Sequence, residues 1–91
     1  MRFEWDPEKA ATNLAKHGVS FAEAATVFGD TLSETFFDPD HSAREDRCIT
    51  IGMSRAGTLL IVAHADRGDT VRIISARKPT RTERTYYEDR R

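Results

Sequence analysis

The spacing of apolar residues changes period along the chain. Phe3-Glu4-Trp5 reads as a short strand. From Pro7 to His17, Ala10, Ala11 and Leu14 fall on one side of a helix. Asp6 stands at the N-cap and Pro7 at the first helical position, where a missing N–H costs nothing. Gly18 stands where a left-handed residue ends a helix. Ser20-Phe21-Ala22-Glu23 is a capping box for a second helix. Its apolar positions Phe21, Ala24, Ala25 and Phe28 recur at helical spacing, and Gly29-Asp30 ends it. The two helices form an αα-hairpin.

The period then shortens to that of strands. Phe36-Phe37 is a short strand, followed by turn residues at Asp38-Pro39-Asp40-His41-Ser42. Ile49, Ile51 and Met53 alternate with small or polar residues over Cys48–Met53. Ser54-Arg55-Ala56-Gly57 turns the chain. Leu59-Leu60-Ile61-Val62-Ala63 is continuously apolar and predicts a central strand covered on both faces. Asp66-Arg67-Gly68-Asp69 reads as a four-residue hairpin loop leading into a strand over Val71–Arg77. Thr80-Arg81-Thr82-Glu83 is a second capping box, with a helix running to about Asp89. The predicted order is β-α-α-β-β-β-β-α over residues 1–91 as one domain. The class is α+β, with a mostly antiparallel sheet and helices packed on one face.

Composition narrows the possibilities. Ninety-one residues, 38% hydrophobic and 32% charged, suit one small core. No apolar run approaches the roughly 20 residues of a membrane helix. The charged opening Met1-Arg2-Phe3-Glu4-Trp5-Asp6 has no signal-peptide core, so a cytoplasmic protein is expected. Cys48 is the only cysteine, which excludes an intrachain disulfide and a cysteine zinc cluster. His41 lacks a second ligand cluster, and no metal or cofactor is expected.

The net charge of −1 hides an asymmetry. Residues 1–66 hold six basic and eleven acidic side chains, a net of −5. Residues 67–91 hold eight basic and four acidic, a net of +4. Seven of those eight are arginines, whose planar fork suits phosphate. A symmetric four-residue loop would put His64, Val71, Ile73, Ser75 and Arg77 on one sheet face and Arg72 on the other. Arg77 then ends its strand one turn ahead of Arg81 and Arg84, beside the positive end of the final helix. Two readings are level here: a phosphodiester site, or arginines neutralised by Glu83 and Asp89 as ordinary helix pairs. Lys16-His17 closes the first helix, where His17 caps a helix end or carries protons. His64 reads as a partly buried sheet histidine.

An ordered set of residues resembles the BrnT toxin family. Its first part is Phe3-Glu4-Trp5-Asp6-Pro7-Glu8-Lys9, Asn13 to Phe21, Glu23-Ala24 and Val27-Phe28. Its second part is Asp38 to Ser42, Ile51-Gly52, Arg67-Gly68-Asp69, Arg72 to Arg77, and Arg81, Glu83, Arg84, Tyr87 and Glu88. The resemblance implies a RelE/ParE-like fold and a toxin of a bacterial type II toxin–antitoxin module. It further implies a ribonuclease that inhibits translation and a BrnA-like antitoxin in a hetero-oligomer, DNA being reached only through that antitoxin. Metal-independent RNA cleavage needs a base, a cation on the phosphate and an acid. Arg77 and Arg81 are the expected cations, and His17, within the family's Lys-His-Gly motif, is the first candidate proton carrier. Asp69 and Glu83 are candidate acids or orienting groups. Lys9, Lys16, Arg67, Arg72, Lys78 and Arg84 are expected to hold flanking RNA phosphates. The rival readings are a non-catalytic protein or nucleic-acid interaction module and a toxin whose activity has decayed.

Overall fold

The computed structural model describes residues 1–38 and 46–90; His41 and its turn lie outside the described residues. The order of elements is the expected one. Strand β1 (Arg2–Glu4) is followed by helices α1 (Pro7–His17) and α2 (Phe21–Ala25) and a 3-10 turn (Thr26–Gly29). Strands β2 (Glu34–Phe37), β3 (Arg47–Met53), β4 (Leu59–Arg67) and β5 (Thr70–Arg77) and helix α3 (Arg81–Asp89) complete it.

The local signals act as expected at most helix ends. The Asp6 side chain accepts the Glu8 N–H, and Gly18 ends α1 at φ 70° with its N–H on the Leu14 carbonyl. Ser20 accepts the Glu23 N–H, but the Glu23 carboxylate turns away and accepts the Ser54 hydroxyl. The second helix is shorter than its apolar spacing predicts. Thr26 Oγ1 donates back to the Glu23 carbonyl at 2.6 Å, and the chain tightens into the 3-10 turn there. Gly52 lets this turn lie directly on β3. A Cβ at Gly52 would stand 2.9 Å from Ser33 Cβ and 3.2 Å from the Val27 carbonyl oxygen.

The sheet order is β1-β5-β4-β3-β2, with β1 parallel to β5 and the other pairs antiparallel. On one face Leu60, Val62, Ile73 and Ala76 pack with Val19, Phe21, Ala24 and Val27 from the helical hairpin. On the other, Ile51, Leu59 and Ile61 pack with Tyr87 of α3. Alternate side chains of β4 thus enter two cores, so the strand is covered on both faces as its apolar run requires. The expectation that all helices share one face is corrected: α3 lies opposite α1 and α2. Its capping box marks where the helix starts, and the apolar needs of Leu59 and Ile61 decide its side.

The β4–β5 hairpin also differs from expectation. Arg67 pairs with Thr70 across a two-residue turn, Gly68-Asp69, with Gly68 at φ 61°. Glycine at the first central position suits a type II′ turn, whose twist matches that of the strands. Farther along, His64 pairs with Ile73 but Ala63 pairs with Ser75. Ile74 has no opposite number and forms a β-bulge. The bulge reverses the alternation of β5. Arg72 pairs with Ala65 and Arg77 with Ile61, both on the α3 side, so the two arginines share a face. His64 pairs with Ile73 on the other side. The shared face of His64, Val71 and Ile73, with Arg72 opposite, is as expected; Ser75 and Arg77, expected beside His64, lie instead on the face of Arg72.

Candidate active site

The strongest cluster of charges stands where β5 runs out and α3 begins. Arg77 reaches Glu83 with both terminal nitrogens, Nη1 to Oε1 at 2.8 Å and Nη2 to Oε2 at 3.0 Å. Glu83 Oε1 also accepts the Thr80 N–H at 2.8 Å, and Thr80 Oγ1 accepts the Glu83 N–H at 3.2 Å. One carboxylate therefore closes the capping box and grips the strand's last side chain. Hydrogen bonding from Arg77 is the main cause that lowers the Glu83 carboxyl to about 2, aided by the Thr80 N–H and opposed by desolvation. Glu83 in turn raises Arg77 above its ordinary value, holding the guanidinium charged. At neutral pH Glu83 is a weak base, suited to orienting Arg77 rather than moving protons.

Arg77 keeps capacity for a ligand. A guanidinium has about five N–H bonds. Arg77 directs one further N–H at the Lys78 carbonyl, at 3.2 Å. The Nε–H and one Nη2 proton have no partner among the described residues. The side chain is 40% exposed, so a phosphate can reach it.

Helix α1 approaches this strand end from the other side of the sheet. Asn13 is buried, and its amide pairs with the backbone of Ala76: Nδ2 donates to the Ala76 carbonyl at 2.9 Å, and Oδ1 accepts the Ala76 N–H at 3.1 Å. Nδ2 also donates to the Val19 carbonyl at 3.0 Å. Because β1 pairs with β5 only from Thr70 to Arg72, Asn13 does for the end of β5 what a neighbouring strand would do. His17 lies one turn beyond Asn13 on the same side of α1, as the last residue of the helix. Asn13 of α1 and Glu83 in the first turn of α3 thus hold neighbouring residues, Ala76 and Arg77, at the end of β5. Asn13 was missed as a site residue; its signal was a lone amide among the packing positions of an amphipathic helix.

The other candidates are dispersed. Arg81 and Lys78 are exposed beside the cluster and form no ion pair among the described residues. Arg84 is exposed and stands 3.7 Å from Glu88. Lys9 and Lys16 are exposed on α1. Arg72 pairs with Glu4 at 3.1 Å. Asp69 sits in the hairpin turn with Arg67 at its edge. The eight residues of β5, at about 3.3 Å each, put Asp69 roughly 25 Å from Arg77. Asp69 and Arg77 therefore cannot act on one phosphate.

His64 is buried, its Nδ1 2.6 Å from Asp66 Oδ1 and its Nε2 2.7 Å from Thr50 Oγ1, with Phe28 edge-on at 4.9 Å. It is a fully held core side chain on the face away from Arg77. Among the described residues no three His, Cys, Asp or Glu side chains converge as metal ligands, and no helix is long and apolar enough to cross a membrane.

Comparison with known proteins gives the family. The family described as the ribonuclease toxin BrnT of type II toxin–antitoxin systems matches residues 5–83, from Trp5 to Glu83. The chain belongs to the BrnT toxin family. It is a ribonuclease toxin of a type II toxin–antitoxin system, a class that implies an antitoxin partner. The crystal structure of the Brucella abortus ribonuclease toxin BrnT is similar, with a TM-score of 0.67 and 26% identity. The match covers 89% of this chain and 99% of that one. No curated protein matches. The matched span holds Asn13, His17, Arg77 and Glu83.

Proposed function

We propose that this BrnT family member cleaves single-stranded RNA without a metal, at the end of β5 that bears Arg77, with Arg81 and His17 taking part. The observation that carries the reading is Arg77 itself, held charged by Glu83 while two N–H groups stay available. In the proposed step the 2′-oxygen forms a bond to phosphorus and the bond from phosphorus to the 5′-oxygen breaks. The products are a 2′,3′-cyclic phosphate and a 5′-hydroxyl. Arg77 takes the charge that builds on the phosphate oxygens, and Arg81 backs it from the first turn of α3. His17 carries protons, for which imidazole is suited near neutral pH. Glu83 and Asn13 are positioning residues, one for the guanidinium and one for the strand end that bears it.

Lys16 beside His17, and Lys78 and Arg84 beside Arg77, hold the flanking phosphates. Lys9, Arg67 and Arg72 extend the basic track along α1 and the hairpin. Cleavage of this kind removes message and so inhibits translation in the cytoplasm. A BrnA-like antitoxin neutralises the toxin in a hetero-oligomer and provides its only route to DNA. Asp69 has no part in the reaction at Arg77.

The test is Arg77→Ala, purified and checked for an unchanged circular dichroism spectrum. Cleavage of an RNA oligonucleotide and growth arrest on induction should both disappear. A folded variant that cuts at the wild-type rate removes Arg77 from the mechanism. Wild-type protein that binds RNA and never cuts it establishes the interaction-module reading instead.

A further inference from the structure

The edge of the sheet formed by β2 is unlike the rest of the surface. Six large hydrophobic side chains are exposed among the described residues, and four stand here: Leu32 at 39%, Phe36 at 44%, Phe37 at 59% and Tyr86 at 42%. Phe36 and Phe37 are consecutive strand residues and point to opposite faces of the sheet. No described strand pairs with the outer side of β2. Its residues, Glu34-Thr35-Phe36-Phe37, include no proline or lysine, the usual guards of an open edge.

A groove adjoins this edge on the α3 side. Its floor is Ile49, Ile51 and Ile61, and its walls are Phe36, Tyr86 and the first turn of α3. Its volume is about 280 Å³ and its lining is almost wholly apolar. Phe36 and Tyr86 meet at 5.8 Å and 61°, a tilted contact rather than two parallel slabs. Arg90 lies 5.8 Å from the centre of the Tyr86 ring, and Arg81 and Arg84 project from the same helix.

We propose that the antitoxin docks here, through an extended acidic and apolar segment that adds a sixth strand along β2. One apolar side chain enters the groove, a second covers Phe37, and its carboxylates meet the arginines of α3. An added strand presents side chains to both faces of the sheet, as the pair Phe36 and Phe37 requires. A nucleobase reaches only one face, and in the groove its ring nitrogens and carbonyls would lie unpaired against isoleucine. A second copy of this chain would bring α3 arginines against each other. The surface follows from the antitoxin partner that the family implies and does not depend on which residue performs the cleavage.

The test uses the Phe36→Asp/Phe37→Asp double variant, with Arg2→Asp on the opposite edge as control. Calorimetric titration with the antitoxin encoded beside this toxin should show binding weakened about thirty-fold or more, the loss typical of one interface hot spot. The control should bind as wild type does, and all three proteins should cleave RNA at the same rate. In wild-type protein, the amides of residues 34–37 should gain hydrogen-exchange protection when antitoxin is added, a readout independent of how the variant folds. Unchanged antitoxin affinity, or β2 amides that stay unprotected, overturns the proposal. Lost RNA cleavage with intact antitoxin binding gives the corner to RNA. A concentration-dependent dimer of the wild type that the variant abolishes, with antitoxin binding intact, gives it to a second copy. Cleavage at Arg77 is measured separately, so failure here leaves that reading standing.

Discussion

Asn13 offers the most direct test of how the site is assembled. Asn13→Ala removes a side chain that satisfies the N–H and carbonyl of Ala76 and the carbonyl of Val19. Ala76 is wholly buried and Val19 nearly so, so water cannot replace these bonds without opening the core. At about 1 kcal/mol for each buried group left without its partner, the loss is about 3 kcal/mol. A 91-residue chain has a stability of roughly 5–14 kcal/mol. At about 4–8 °C per kcal/mol for a domain of this size, Tm should fall by roughly 12–24 °C. Circular dichroism melts of wild type, Asn13→Ala and Asn13→Asp measure this. Asn13→Asp keeps an acceptor for the Ala76 N–H but brings a charge into the core, so it should not restore wild-type stability. RNA cleavage measured well below both melting points should also drop, because the end of α1 with His17 is no longer tied to β5. A fall of less than about 4 °C for Asn13→Ala, with cleavage unchanged, would refute the reasoning.

Further outcomes follow from the charges. The Glu83 carboxyl is lowered from 4.5 to about 2, so its contribution to stability is complete above about pH 4.5 and is lost as pH falls through 2. Both side chains of the pair are a third or more exposed, which limits the effect to about 1 kcal/mol. Urea midpoints of wild type and Glu83→Gln should therefore differ at pH 6 and converge towards pH 2; equal midpoints at pH 6 would show that the pair contributes nothing. Arg81→Ala and Arg84→Ala should each weaken RNA binding and reduce the log–log salt slope by about 0.7, the figure for one phosphate contact on a single strand. A slope equal to that of wild type would remove that arginine from the RNA track.

Local chemistry was legible wherever a few neighbouring residues decide the backbone. Asp6-Pro7 and Gly18 mark both ends of α1, and Thr80 with Glu83 marks the start of α3. The apolar run from Leu59 correctly implied cover on two faces. What escaped notice depends on residues distant in the chain. The side taken by α3 is decided by the second core around Ile51, Leu59 and Ile61. The bulge at Ile74 is invisible to alternation, because Ile73 and Ile74 are both apolar and either parity, Val71 and Ile73 or Ile74 and Ala76, looks like a core face. Asn13 acts on a residue 63 positions away. Arg77 and Glu83 were both singled out as candidates, but the geometry joins the two readings that had stood as rivals. The carboxylate that neutralises the arginine also aims it.

The bulge at Ile74 has a consequence for how this strand can vary. It works as a frame correction: Val71 and Ile73 face the helical hairpin in one phase, and Ala76 regains that core in the other. Pairing Ile74 with Ala63 in an unbroken ladder would turn the end of β5 inside out. Ala76 would face α3, and the Arg77 guanidinium would enter the apolar layer beneath α1. Length and chemistry are therefore coupled in β5. Deleting Ile74 would close the bulge and leave Ala76 opposite Val62 and Arg77 opposite Ile61, whereas closing it at the present length would bury the charge that the strand displays.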